Sequence, residues 1–197
     1  MIGVRSNRAV MGGVLMACAL LASAFSPAPP AAAAPLRAKE DGSVVVTLQP
    51  YVGRLVTLLA TLGQDRLILL LDTGGGQTII SPRVAARVGC KPGGRRVAFR
   101  MTGERVVFEQ CDAAVIEVGG RRTSQSGVAV WDLASVLPRG IPPVDGVLAL
   151  DALADQPFTL NLAARTLILE SSSSLKRRVA TMTRVNARTA PGYLART

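Results

Sequence analysis

Histidine is absent from the 197 residues, and this one absence removes whole chemistries. Without imidazole there is no Ser-His-Asp or Cys-His couple, no HExxH zinc site and no His-based proton relay. Any catalysis has to run on carboxylates, Lys, Tyr, Cys or backbone. Aromatic residues make up 4% of the chain and cysteine occurs three times. No metal-ligand cluster is visible. Gly74-Gly75-Gly76 lacks the Lys-Ser/Thr that would follow in a phosphate-binding loop. No metal and no cofactor are expected. A sustained apolar run is also missing: Val10 to Phe25 falls short of the roughly 18 to 20 residues that span a bilayer.

That run is preceded by Arg5 and Arg8 and followed by Pro- and Ala-rich sequence ending Ala32-Ala33-Ala34, so residues 1–34 read as a signal peptide. Cleavage sites of the Ala-x-Ala kind stand at Ala22-Ser23-Ala24 and at Ala32-Ala33-Ala34. The expected address is therefore exported, periplasmic or secreted, with no membrane part beyond the signal. Leu15-Met16-Ala17-Cys18 resembles a lipoprotein box, and anchoring at Cys18 is the alternative. An oxidising compartment permits disulfides, and Cys90 and Cys111 remain once the signal is gone. Two readings stay open: one Cys90–Cys111 bridge, or two buried free thiols.

What is present is an apolar, weakly charged chain, 49% hydrophobic and 18% charged, as expected of one globular domain. Most of its formal charge of +10 belongs to the ends. Residues 35–170 hold 15 basic against 13 acidic residues, while Lys176, Arg177, Arg178, Arg184, Arg188 and Arg196 follow the last acid, Glu170. The basicity is a tail property, read as a solvated, partly disordered tail, with weak contact to an anionic surface as the sharper alternative. Nucleic acid is not expected as a partner. Export argues against it, and the tail offers only Tyr193 where single-strand binding wants several stacking platforms.

From Ser43 onward, short aliphatic and β-branched runs alternate with turn residues at intervals of roughly ten, the all-β signature. Strands are expected at 43–49, 54–61, 66–72, 77–80, 95–100, 105–110, 113–118, 123–131, 144–150, 158–162 and 166–170. One short helix is signalled by Ser81 as cap, Pro82 at its first position and Gly89 at its end. A short turn of helix runs through Leu153. Met101-Thr102-Gly103-Glu104 reads as a hairpin turn in which glycine supplies positive φ. Residues 35–42 form a linker, 43–170 the domain, and the serines at 171–174 a second linker opening the basic tail 171–197.

Chemistry concentrates at Leu67-Ile68-Leu69-Leu70-Leu71-Asp72-Thr73-Gly74-Gly75-Gly76, because an acid directly after five aliphatic residues is expensive to bury. The same residues also read as a solvent-facing turn after a core strand. The order of segments resembles the retropepsin-like aspartic peptidases, and most closely their exported bacterial single-domain members. The points of resemblance are Leu71-Asp72-Thr73-Gly74, then Ile79-Ile80-Ser81-Pro82, then Thr102-Gly103, then Val144-Asp145-Gly146-Val147-Leu148-Ala149-Leu150-Asp151-Ala152-Leu153. They cover residues 43–170. Gly75 stands where that family commonly has Ala or Ser, Ala149 where it has Gly, and Ala152 where it has Phe. The hairpin also lacks the family's frequent Gly-Gly tip.

The resemblance implies an all-β acid-protease closed barrel or sandwich with one or two short helices. It implies Asp72 as the catalytic carboxylate in an active-site turn with Thr73 and Gly74. Met101, Thr102 and Gly103 would form a flap, and Gly146, Val147 and Leu148 an apolar substrate floor. Asp145 lacks a following Thr and Asp151 opens the short helix, so Asp72 would pair with Asp72 of a second chain in a homodimer. The implied activity is aspartic endopeptidase hydrolysis of an extended peptide or protein. The competing expectation keeps the fold without catalysis, as a dimerisation or peptide-binding module of the cell envelope.

Overall fold

The computed structural model describes residues 37–99, 102–112, 114–125, 127–183 and 185. The expected signal peptide with Cys18, Arg100 and Met101 at the hairpin turn, and the tail from 186 onward lie outside the described residues.

The alternating runs form strands β1 (Arg37–Ala38), β2 (Val44–Thr47), β3 (Gln49–Pro50), β4 (Val56–Leu62), β5 (Asp65–Asp72) and β6 (Ile79–Ile80). After helix α1 (Pro82–Arg87) come β7 (Pro92–Phe99), β8 (Arg105–Cys111), β9 (Ala114–Val118), β10 (Arg121–Gln125) and β11 (Ala129–Val130). The last strands are β12 (Gly146–Ala149), β13 (Phe158–Asn161) and β14 (Thr166–Leu169), followed by helix α2 (Ser172–Val179). Single 3-10 turns span Leu133–Ser135 and Leu150–Leu153. The fold is all-β with short helices. Helix α1 is capped by Ser81, whose hydroxyl accepts from the Val84 amide at 3.3 Å, and Pro82 stands at its start. Both features were legible in the sequence.

The strands make two sheets, one ordered β1-β2-β14-β13 and the other β10-β9-β4-β5-β12-β6-β11-β8-β7, with β3 added to β4. Strand β5 lies between antiparallel β4 and parallel β12, and β12 in turn pairs antiparallel with β6. Alternation turns Leu67, Leu69 and Leu71 into the core with Leu58, Ile116, Val118 and Leu148. Ile68, one residue out of phase, stays 45% exposed on the opposite face.

Two expectations change. The single strand over 123–131 is two strands in different places: β10 pairs with β9, whereas β11 pairs with β6 and β8. Gly127 separates them at φ +114, where an added Cβ would fall on the Gln110 side chain, so the chain bends there. The serines read as a linker are instead the cap and first turn of α2. Ser171 and Ser174 exchange side-chain and backbone hydrogen bonds in a capping box. Helix α2 is also tied down. The Ser171 hydroxyl donates to the Asp41 carbonyl at 2.6 Å, Arg177 pairs with Asp41, and Arg178 pairs with buried Glu170.

Burial alone would raise the Glu170 carboxyl. Hydrogen bonds from Ser174 and Thr159 and the hydrogen bond and charge of Arg178 outweigh it, holding the group below its ordinary value. Two of the cations counted as tail charge are thus engaged within the domain.

Candidate active site

Asp72 is the last residue of β5, paired in register with Ala149 of β12. Hydrogen bonding from both neighbours fixes the strand, and its inward leucines fix which face each residue takes. The chain then leaves the sheet through Thr73 and Gly74, both exposed, and half-buried Gly75. The turn folds back on the carboxylate: the Gly74 and Gly75 amides each donate to Asp72 Oδ1 at 2.9 Å. Among the described residues, Oδ2 receives no hydrogen bond. One oxygen is held while the other is left open, in a half-buried position.

Gly75 is part of this geometry. A Cβ there would lie 2.9 Å from Asp72 Oδ2 and 3.3 Å from the Ala149 Cβ, so the position where the resembled family commonly carries a side chain is here kept clear for the carboxylate.

After the turn the backbone is held by a second acid. Thr78, fully buried, donates from its hydroxyl to Asp151 Oδ1 at 2.6 Å and from its amide to Oδ2 at 3.0 Å. The Thr78 hydroxyl also accepts from the Ala149 amide at 3.2 Å. This triangle binds the segment after Asp72 to the residue opposite Asp72. In the sequence Asp151 stands only as the start of a short helix. Its signal was the one that marked Asp72, an acid directly following a buried apolar strand.

Asp145 has a comparable duty: its Oδ2 accepts from the Ile68 amide at 2.9 Å and its Oδ1 from Arg83 at 3.1 Å. It ties β5 to the start of α1.

The expected floor residues divide. Val147 is in register with Leu70 and so shares the sheet face of Asp72, whereas Leu148, in register with Leu71, turns into the main core. Gly146 meets the opposing strand so closely that an added Cβ would overlap the Ile79 carbonyl oxygen.

The expected flap is the β7–β8 hairpin, with Phe99 opposite Arg105 and Gly103 at φ +80 in the turn. Thr102 and Gly103 are exposed. The sheet path puts β12, β6, β11 and β8 between the Asp72 strand and β7. At the hairpin's root, Cys90 and Cys111 are joined by a disulfide with Cα atoms 5.4 Å apart. Trp131 is half-buried and its amide donates to the Ile80 carbonyl. Among the described residues no group of three or more Cys, Asp or Glu is placed to hold a metal ion.

No family model matches the sequence, and no curated protein does. Solved structures do. This chain is similar to retropepsin-like aspartic proteases. A retropepsin-like aspartic protease from Rickettsia conorii aligns at 13% identity and a TM-score of 0.44, over 65% of this chain and 90% of its own. The retroviral protease-like domain of Ddi1 from Leishmania major aligns at 18% identity and a TM-score of 0.42, over 59% of this chain and 88% of its own. Likenesses of this size transfer no residue role to this chain.

Proposed function

We propose that this chain is an aspartic endopeptidase whose active site is completed by a second copy, with Asp72 of each copy forming the catalytic dyad. The observation that carries the reading is the carboxylate itself. It ends a buried strand, is anchored through Oδ1 by two backbone amides, and keeps Oδ2 beside Gly75 free of hydrogen bonds among the described residues, in a turn of exposed Thr73 and Gly74.

Two carboxylates about 3 Å apart cannot both ionise, so such a pair shares one proton. The ionised member takes a proton from water as the water attacks the peptide carbonyl. The protonated member donates its proton to the carbonyl oxygen, giving a tetrahedral diol. As the diol collapses, the ionised carboxylate takes a hydroxyl proton and the protonated carboxyl gives its proton to the amide nitrogen, so that the C–N bond breaks to leave an acid and a neutral amine. No covalent intermediate and no cofactor are required, which suits a chain without histidine.

A single chain offers one such turn. Asp145 and Asp151, the other acids near β12, are occupied in holding β5 and Thr78. Completing the pair by C2 symmetry puts Thr73 and Gly74 at the axis. An extended peptide would lie across the Val147 face beneath the hairpin. Export, read from the leader, would place the activity in the cell envelope or outside the cell.

The test is peptide cleavage by the wild-type chain beside Asp72→Asn, with sedimentation of both. Cutting by the wild type alone, rising with dimer fraction, supports the reading. Dimers of both forms with no cutting by either would leave a binding module and make Asp72 a structural turn residue.

A further inference from the structure

We propose that the unpaired edge of β7 docks an extended acidic peptide as an added strand, and that this edge selects the substrate class of the site. The second clause rests on the peptidase reading and the first does not.

Strand β7 ends its sheet, hydrogen-bonded to β8 on one side only. An edge strand directs alternate N–H and C=O groups outward, where an extended segment can pair with them. The stretch Lys91 to Arg100 contains Lys91, Arg95, Arg96 and Arg100 and no acid. Glu104 lies in the turn and Glu109 on the inner strand, while Asp112 follows β8 and sits against Gly93 at the start of β7. Arg95 and Arg96 are exposed and enter no ion pair among the described residues, although Arg95 stands in register with Glu109. Arg96 is oriented by donating from Nε to Gln110 Oε1 at 2.8 Å.

Charge on an edge strand also serves to repel other edges. That purpose does not account for Val97 at 49% exposure and Phe99 at 70% in the same strand.

Alternation puts Arg95, Val97 and Phe99 on one face and Arg96 and Ala98 on the other. A peptide strand running antiparallel to β7 meets Phe99, Ala98, Val97, Arg96 and Arg95 in that order. Cross-strand pairing then favours apolar, any, apolar, acidic, acidic. Main-chain bonds supply affinity, the two guanidinium groups supply the sign of the charge, and the pattern fixes direction.

The experiment uses the full chain carrying Asp72→Asn, so that bound peptide survives, and fluorescence anisotropy of two labelled peptides, Leu-Ala-Val-Glu-Glu and Leu-Ala-Val-Lys-Lys. The Glu peptide should bind at least about tenfold more tightly, with affinity falling as salt rises. Adding Arg95→Glu and Arg96→Glu should reverse the preference in a chain that still unfolds cooperatively, at a lowered midpoint, because the Arg96 bond to Gln110 is lost and a carboxylate at position 95 faces Glu109. Equal affinity for the two peptides, absence of binding by both, or an unchanged preference in the charge-reversed variant would overturn the proposal. Wild-type chain incubated with both peptides separates the two claims. Selective binding without cutting upholds the docking edge and defeats the peptidase reading, whereas cutting without preference for the acidic peptide does the opposite.

Discussion

The strand that ends at Asp72 and the hairpin that turns at Gly103 belong to one sheet, yet they are secured by opposite means. Strand β5 has a partner on each side, and its Leu67 and Leu69 are fully buried. The hairpin strand β7 has one partner, contributes no residue to the main core, and leaves Phe99 mostly in solvent. What fixes the hairpin is its root, where the disulfide joins Cys111 of β8, opposite Pro92, to the segment after α1. A carboxylate that must hold its geometry is set on packed strands, and the element expected to admit a peptide is fastened at one end.

Substitutions should separate these two modes of support. The largest effect is expected at Gly146, where alanine would overlap the Ile79 carbonyl. Overpacking against backbone should cost about 3 kcal/mol or more, and urea denaturation should show a loss at least matching that of Leu69→Ala, expected at about 2–5 kcal/mol. Next comes the hairpin root. Replacing both Cys90 and Cys111 with alanine should cost about 3 kcal/mol, since their separation of 21 residues closes a loop of moderate length.

A third, smaller loss is expected at Glu170→Gln, about 1–3 kcal/mol near pH 7, and its pH dependence gives the sign. Glu170 has a folded value below its ordinary 4.5. Its contribution is therefore fully present above that value and is lost as pH falls through the folded value. The wild-type and variant denaturation midpoints should converge in acid and diverge toward neutrality. The smallest effect is expected at Phe99→Ala, within about 0.5 kcal/mol in the same measurement. A large loss there would mean that the hairpin is packed and would erase the contrast with β5.

Much of this contrast was legible in the chain. The run from Leu67 to Leu71 reads as a buried strand because only a central strand hides its alternate leucines so fully. Ser81-Pro82 marks α1 because hydroxyl capping and proline's fixed φ act within a single turn. Local signals failed where tertiary partners decide. Gly127 looks like one more residue of an alternating strand until Gln110, brought in by β8, occupies its Cβ space. Ser171 to Ser174 look like a linker because their partners Asp41 and Glu170 must first be assembled.

At the site, the Asp72-Thr73-Gly74 turn was readable from its setting, but the clearance at Gly75 was not, since it depends on where the Asp72 oxygens point. Asp151 was overlooked because its partner Thr78 is 73 residues away. The division of Val147 from Leu148 follows from their register with β5, which no local pattern reveals.

The most direct measurement of the central claim is cleavage of a broad peptide library from roughly pH 3 to 7 by the wild-type chain and by Asp72→Asn, each sedimented at the concentrations assayed. The account predicts cutting by the wild type alone, in proportion to its dimer fraction and blocked by a statine-type transition-state mimic. Equal cutting by both forms, or cutting by a wild type that sediments only as monomer, would contradict a dyad built from Asp72 of two chains.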